Sequence, residues 1–392
     1  MKHTMPKQIG DYNKKQIISL LREGGPTSRV ELSRLLGISS VAVSRNTWQL
    51  LNKGIIRECT AKDSEMGRKP IPVELCNDFC YVLGADIVGG ALKTALADFM
   101  GEIINYYEEP VMVNKGAQAV LNQLISALNE MIARAGVPRE KIWAVTVGTP
   151  GIFSAETGKS RFTSFIDNWD EIDIQSKIFE GVQIKTVVEN DVNLDIIGEN
   201  WKGVGKNYDT IFYVKLGQGL AARFLLQNKL VRGEHNMAGE IGFMLPELTN
   251  RNGLNYEQML CNAAVSKRYR EYGGKSRILT ISDLCAVAAN GDKTAKKVMR
   301  QLLHQFAIVL LNSVTVLDPQ AIILGGDACS FTENEIALIK DSIIKHFPLV
   351  QNIEPSALNK KACIYGAIKT SLDQVEELIT DMWRSNKHCV AV

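Results

Sequence analysis

The chain of 392 residues is 45% hydrophobic and 22% charged, an ordinary composition for a globular protein with a sizeable core. Its start lacks the apolar stretch of a secretory signal, its longest apolar run (306–317) is too short for a bilayer, and its eight cysteines form no CxxC pair. We therefore expect a cytoplasmic protein without membrane segments. The net charge is +2, but residues 1–75 carry +6 and the remainder −4, so only the N-terminal part is expected to meet a polyanion.

Two helices are predicted first. Residues 14–23 place apolar side chains on one helical face, and a Gly-Gly-Pro run follows them. The second helix begins at a cap formed by Thr27 or Ser28, with Glu31 completing a capping box, and ends at Gly37. Its expected core positions are Leu32, Leu35 and Leu36.

A third helix is predicted from a cap at Ser39 or Ser40 to about Asn52. Its expected core positions are Val43, Thr47 or Trp48, Leu50 and Leu51. Two helices joined by a tight glycine turn are typical of a helix-turn-helix, whose second helix enters the major groove. Arginine and glutamine can read guanine and adenine edges, and serines suit phosphates. The candidate DNA-contacting residues here are Ser39, Ser40, Ser44, Arg45 and Gln49.

A wing follows the third helix. Ile55 starts a predicted strand, and residues 61–72 form a loop whose tip carries Arg68 and Lys69, two further candidates for DNA contact. We therefore interpret residues 1–75 as a winged helix-turn-helix that binds double-stranded operator DNA. The alternative is a small three-helix interaction domain that touches no DNA.

Residues 76–392 alternate between strands and helices, which indicates an α/β body. Residues 211–216 and 222–226 form a predicted hairpin around a Gly-Gln-Gly turn. Further strands are predicted at 81–87, 92–98, 102–107, 142–148 and 187–189, with an amphipathic helix at 118–135.

The motifs of this body, in chain order, are LGADI, GTPGIF, DNW, ENDVN, GENWKGVGK, LGQGL, NKLVRGEHNMAGEIGF and IILGGD. Their order resembles the ROK family of repressors and sugar kinases, and with the winged helix it resembles the branch of xylose and N-acetylglucosamine repressors. The resemblance implies a two-lobed actin-like (ribonuclease-H-like) domain. Lobe one would hold about 76–195 plus the C-terminal helix, and lobe two about 196–370. The cleft between them would take a sugar and, in kinases, ATP.

Five positions match the sugar site of the family: Asn168, Asn190, Asp191, Glu240 and Glu257. Carboxylates and carboxamides suit a polyol because they accept from or donate to vicinal hydroxyls in fixed directions. The structural alternative is that Asp191 caps a helix and Glu240 lies in a solvated turn.

The resemblance also exposes departures from the kinases. There the counterpart of Asp191 is the base that deprotonates a sugar hydroxyl, and two glycine turns hold the ATP phosphates. Here the first turn, DIVGGALK, is displaced from the kinase pattern. The second has Gln218, Ala221 and Arg223 where the kinases prefer Thr, Gly and Gly. Because phosphate binding needs hydroxyls, N–H groups and close glycine approach, we expect no catalytic residue, no cofactor and no enzyme activity.

The zinc site that the family implies is missing as well. Phe243 replaces the histidine ligand, which in kinases also meets the sugar, and residues 245–260 contain no cysteine. We expect no bound metal.

The sequence therefore predicts a transcriptional regulator, a repressor of sugar-metabolism genes, whose body binds a sugar or sugar derivative. Paired half-sites in operators imply a homodimer or homotetramer. Two alternatives stay open: an active sugar kinase with a DNA-binding appendage, and a regulator whose body is only a dimerisation scaffold.

Overall fold

The computed structural model describes residues 6–59, 71–87, 90–162, 166–246, 253–347 and 352–385. The described part of residues 6–75 forms a small domain, here called the head. Its elements are α1 (Pro6–Gly24), β1 (Thr27–Ser28), α2 (Arg29–Leu36), α3 (Ser40–Asn52), β2 (Ile56–Glu58) and β3 (Pro72–Leu75). The strands form an antiparallel sheet in the order β1-β3-β2 beside the three helices.

Serine caps begin α2 and α3, as predicted. The Ser28 hydroxyl accepts from the Glu31 N–H, but the Glu31 side chain pairs with Arg34 instead of completing a capping box. The predicted burial of Leu35 was wrong, because its side chain is 49% exposed on the outer face of α2. The first helix is also longer than predicted and begins at Pro6.

Lobe one contains a five-stranded sheet in the order β10-β7-β4-β5-β6. Strands β4, β7 and β10 are parallel, and β4, β5 and β6 form an antiparallel meander. Its elements are β4 (Tyr81–Asp86), β5 (Ala91–Asp98), β6 (Ile103–Pro110), α4 (Ala117–Arg134), β7 (Ile142–Thr149), β8 (Ile152–Ser154), β9 (Lys159–Arg161), α5 (Ile174–Val182), β10 (Lys185–Asn190) and α6 (Asp191–Lys202). One apolar cluster fills the space between the sheet and α4 and α5.

Lobe two repeats this design with a sheet in the order β13-β12-β11-β14-β15. Strands β11, β14 and β15 are parallel, and β11 to β13 form the meander. Its elements are β11 (Ile211–Leu216), β12 (Leu220–Leu226), β13 (Lys229–Leu230), α7 (Tyr256–Leu260), α8 (Asn262–Glu271), α9 (Ile281–Ala289), α10 (Lys293–Leu317), β14 (Ala321–Gly326), α11 (Glu333–Ile344) and β15 (Asn352–Pro355). The predicted hairpin is β11–β12, and the apolar run 306–317 forms the last part of α10.

The last helix, α12 (Ala362–Ser385), returns to lobe one and packs against β4, β7 and α6. It crosses α6 at very short range. A Cβ atom on Gly366 would lie 1.9 Å from the carbonyl oxygen of Leu194, and one on Gly198 would lie 2.2 Å from that of Ala362. Only glycine permits this approach, so the two helices touch backbone to backbone.

The head is docked on the other end of α12. Ile17 and Leu21 of α1 share one apolar cluster with Leu372 and Ile379 of α12. Arg22, also in α1, is buried: its guanidinium pairs with Glu376, donates to the Phe99 carbonyl at 3.2 Å and lies 5.0 Å from the Phe99 ring. Within the described ranges, no helix is long and apolar enough to cross a membrane.

Candidate functional site

Helix α3 presents one exposed face. Its cap is Ser39, whose hydroxyl accepts from the Ala42 N–H at 3.2 Å, and this bond fixes where the helix begins. Ser40, Ser44 and Arg45 are exposed, and Gln49 is half-buried. Among the described residues, the Arg45 guanidinium has no hydrogen-bond or ion-pair partner. Its donors are therefore free to meet another molecule.

The sequence missed two members of this face. Val41 is 79% exposed and Trp48 63% exposed. With Ser44 and Arg45 they recur at spacings of three and four residues, so these four side chains form a stripe along α3, the recognition face. Thr47 occupies the core position for which Trp48 was the other candidate. Apolar contact with a thymine methyl group suits Val41.

The wing residues Arg68 and Lys69 lie outside the described residues. The strands on either side pair in register, with Ile56 opposite Leu75 and Glu58 opposite Val73. The assignment of the wing tip to DNA stays a prediction.

The cleft between the lobes contains the first residues of α6. Asn190 ends β10 and caps the helix, because its Oδ1 accepts from the N–H groups of Val192 and Asn193. The cap role considered for Asp191 thus belongs to its neighbour. The Asn190 Nδ2 donates to the Gly151 carbonyl at 2.7 Å, so this side chain is already fully bonded. Asp191 is buried beside it.

Lys215 of β11 reaches across the cleft to two acids. Its Nζ donates to Asp191 Oδ2 at 2.7 Å and lies 2.7 Å from Asp195 Oδ2, although not in line for a hydrogen bond to the latter. Burial alone would lower the pKa of Lys215, but the two carboxylates outweigh it and raise that pKa well above its usual value. Burial raises the pKa of Asp195 to about 6. A charged lysine thus holds the carboxylate that a kinase would use as its base.

Arg223 of β12 is the second cation in the cleft and is 1% exposed. Its Nε donates to Asn193 Oδ1 at 2.7 Å, and its Nη2 donates to Glu240 Oε1 at 2.6 Å and to Asn190 Oδ1 at 3.2 Å. Its Nη1 donates to the Ala222 carbonyl at 2.6 Å. Two residues predicted to bind a sugar, Asn190 and Glu240, are therefore bridged by a side chain of the protein itself.

The other two residues predicted to bind a sugar, Glu257 and Asn168, are not part of this hydrogen-bond network. Glu257 supports the Gly-Gln-Gly turn: its Oε2 accepts from the Leu220 N–H at 3.0 Å, and a Cβ atom on Gly219 would lie 2.7 Å from that oxygen. Asn168 is exposed in the left-handed backbone region with a φ of 61°, and its side chain has no hydrogen-bond partner in the described part of the chain. Hydrogen bonds thus connect Asn190 with Asp191 and, through Arg223, with Glu240, whereas in the described part of the chain none joins the side chain of Asn168 or Glu257 to this set.

Charged side chains lie beside both glycine turns, and residues 88–89 of the first turn lie outside the described residues. Beside the first, the Lys93 Nζ donates to Asp86 Oδ2 at 3.0 Å and to the Lys360 carbonyl at 2.9 Å. At the second, a Cβ atom on Gly217 would lie 3.0 Å from Asp327 Oδ2. A carboxylate therefore lies beside the backbone of the second turn, where its Oδ2 also accepts from Asn262 Nδ2 at 2.7 Å.

Phe243 lies at the position where the family would place a zinc ligand. It is half exposed, and its ring meets that of Phe162 edge to face at a centroid distance of 6.2 Å. The described residues contain no group of three His, Cys, Asp or Glu side chains that could hold a metal ion. Residues 247–252 of the former zinc loop lie outside the described ranges.

Comparisons with known proteins divide the chain in the same way as its fold. A sequence model of the ROK family matches residues 82–373, and a winged helix-turn-helix DNA-binding model matches residues 10–57. The xylose repressor of Caldicellulosiruptor bescii is 23% identical over 93% of this chain and 96% of its own length. The glucokinase of Halalkalibacterium halodurans is 23% identical over 72% of this chain and 88% of its own length.

A solved structure supports the architecture. A ROK family transcriptional regulator, described as a homolog of the E. coli MLC protein, superposes with a TM-score of 0.80 at 20% identity, over 95% of this chain and 98% of its own. The predicted fold, a winged helix-turn-helix followed by a two-lobed actin-like domain, is confirmed.

Proposed function

The chain belongs to the ROK family, and we propose that it is a DNA-binding transcriptional repressor of sugar-metabolism genes. The observation that carries the proposal is the recognition face: a capped helix in a winged helix-turn-helix, with an arginine whose donors are free among the described residues. The similarity to a xylose repressor extends over the head and the body, whereas that to a glucokinase covers a smaller share of the chain.

We propose further that the body is not a working kinase. A general base must be free to accept a proton from the substrate, and Asp191 Oδ2 already accepts a hydrogen bond from Lys215 Nζ at 2.7 Å. The carboxylate of Asp327 beside Gly217 opposes ATP phosphates at the second turn. Both features support an effector domain that has kept the shape of a kinase without its chemistry.

The proposed effector is a sugar or sugar derivative that enters the cleft, with Asp191 and Glu240 as its anchors. Asp191 is buried and Glu240 is partly buried beside the interlobe boundary, which supports this assignment. An effector there would change how the lobes meet and, through α12, where the heads of a cytoplasmic homodimer lie. The self-paired cleft also favours a second candidate, a repressor whose body is only a dimerisation scaffold.

The experiment starts with the purified full chain and a random pool of DNA duplexes. We expect selection to enrich one sequence with paired half-sites, and a sugar panel to contain a compound that changes its affinity. Asp191→Ala should lose that response while keeping operator affinity. Absence of any enriched sequence would contradict the repressor, and an affinity unmoved by every sugar would favour the scaffold. Sugar-dependent release of ADP from ATP would instead support an active sugar kinase.

A further inference from the structure

The guanidinium of Arg223 makes the hydrogen bonds that hydroxyl groups of a sugar would make. Its donors engage Asn190 Oδ1, Asn193 Oδ1 and Glu240 Oε1, all between 2.6 and 3.2 Å. The Asn190 oxygen also receives two N–H groups of α6, so it has no capacity left. A polyol cannot bind the Asn193 or Glu240 oxygen in this state unless Arg223 leaves it.

The same bonds join the two lobes. Asn190 and Asn193 belong to the start of α6 in lobe one, whereas Arg223 and Glu240 belong to lobe two. We call this set of contacts the Arg223 bridge. Arg232, also from lobe two, pairs with Glu189 of lobe one at 2.6 Å beside it. Arginine side chains of the chain itself therefore join the two lobes across the cleft.

Burial makes the bridge specific. Arg223 is 1% exposed, and the Glu240 side chain is 17% exposed. A sugar that displaces the guanidinium must leave it a new partner, because an unpaired buried charge is strongly unfavourable. Neutral sugars offer only hydroxyl dipoles in exchange for the Glu240 carboxylate. They therefore compete with Arg223 at a disadvantage.

We propose that Arg223 is an intramolecular competitor of the effector: it occupies hydrogen-bonding positions of the cleft, links the two lobes, and sets how much neutral sugar is needed to displace it. This inference rests on the proposed effector cleft. According to this proposal, Arg223 sets the sugar concentration at which the protein responds. The reason is that a sugar binds only the fraction of molecules in which the contacts of the Arg223 bridge are not made.

The test compares the full-length protein with Arg223→Ala by calorimetric titration of neutral monosaccharides and one sugar acid. We expect Arg223→Ala to melt at a lower temperature than the parent without sugar, and to bind at least one neutral sugar about tenfold or more tightly than the parent. Arg22→Ala is the matched control: it also removes a buried guanidinium from an acid, but at the head–body contact. It should lower the melting temperature without any gain in sugar affinity.

If Arg223→Ala does not fold, Arg223→Gln keeps an amide donor for Glu240 on a shorter, uncharged side chain and should show a gain of the same sign. Equal sugar affinity of parent and variant, or no binding by either variant, would overturn the inference. So would a parent that binds only the sugar acid and loses it on Arg223→Ala, since Arg223 would then be a ligand-binding residue. Operator affinity is measured on the same samples, and its absence in the parent would count against the repressor rather than against the bridge.

Discussion

The recognition face of the head and the cleft of the body are built from similar polar residues, yet their hydrogen-bonding groups are in opposite states. Arg45 is exposed and has no partner among the described residues. Arg223 is buried, and its three nitrogens all donate to groups of the protein. Residue type therefore identifies a possible binding surface, whereas donors and acceptors without a partner in the protein decide whether that surface can bind another molecule.

The largest expected effect belongs to the cleft. Lys215→Met leaves the buried acids Asp191 and Asp195 without their cation, which should reduce the free energy of unfolding by about 3 kcal/mol. Urea denaturation of the full chain measures it. Lys206→Met, at an exposed lysine, is the control and should change stability little. If Lys215→Met were as stable as the parent, the cleft would not be held by its own charges, and the comparison would fail.

The next effect belongs to the head. Arg45→Ala should weaken binding to the selected operator by about 1–3 kcal/mol and leave the binding of unrelated DNA nearly unchanged. Protein stability should stay the same, because Arg45 has no partner in the described structure. Arg134→Ala, at an exposed arginine of α4 in the body, is the matched control and should keep the parent affinity. Identical operator affinity of Arg45→Ala and the parent would remove Arg45 from the recognition face.

A smaller effect concerns pH. The pKa of Asp195 is raised from 3.8 to about 6 in the folded chain, so the protonated form favours folding. This contribution is complete below pH 3.8 and is lost as the pH rises through about 6. Asp195→Asn does not titrate, so from pH 5 to pH 8 it should gain about 1 kcal/mol of stability relative to the parent. Asp341→Asn, on the exposed surface of α11, should show no such trend in the same denaturation series.

The last prediction is that the protein binds no zinc, so that removal of metal has no effect on it. Because Phe243 and the cysteine-free segment 245–260 supply no zinc ligands, metal analysis should find well under one zinc per chain. A chelator should leave the melting temperature unchanged. Stoichiometric zinc would show that the loop has been aligned wrongly with the family.

The head was predicted well where its structure depends on neighbours in sequence. A cap needs only a hydroxyl and the N–H group three residues later, so the sequence narrowed the caps to Thr27 or Ser28 and to Ser39 or Ser40, and the structure has Ser28 and Ser39. Burial depends on which elements pack together, and here the predictions for Leu35 and Trp48 were less successful. Both side chains lie on outer helix faces that the apolar pattern alone had assigned, wholly or as one option, to the core.

The cleft was predicted only in part for a related reason. The sequence pointed to Asp191 and Glu240, and it marked Arg223 as a departure from the glycine pattern. It did not reveal the partners of Arg223, because Asn190 is 33 residues away and in the other lobe. Lys215 was not singled out, since a single lysine near the end of a strand is ordinary in sequence. A lone charged residue inside an otherwise apolar or glycine-rich strand pair is the signal that could have found both.

The glycine crossing of α6 and α12 marks a point about which α12 could rotate. Gly366 is the pivot, where backbone touches backbone, and Glu376, which holds Arg22 of the head, lies ten residues further along the same helix. At 1.5 Å per residue the arm is about 15 Å long, so a tilt of about 5° at the pivot would displace its far end by about 1 Å. A Cβ atom on Gly366 would clash with the Leu194 carbonyl oxygen and prevent this rotation. With glycine at both positions of the crossing, a small rotation of α12 near the cleft would displace its contact with the DNA-binding head by a distance that the length of the arm sets.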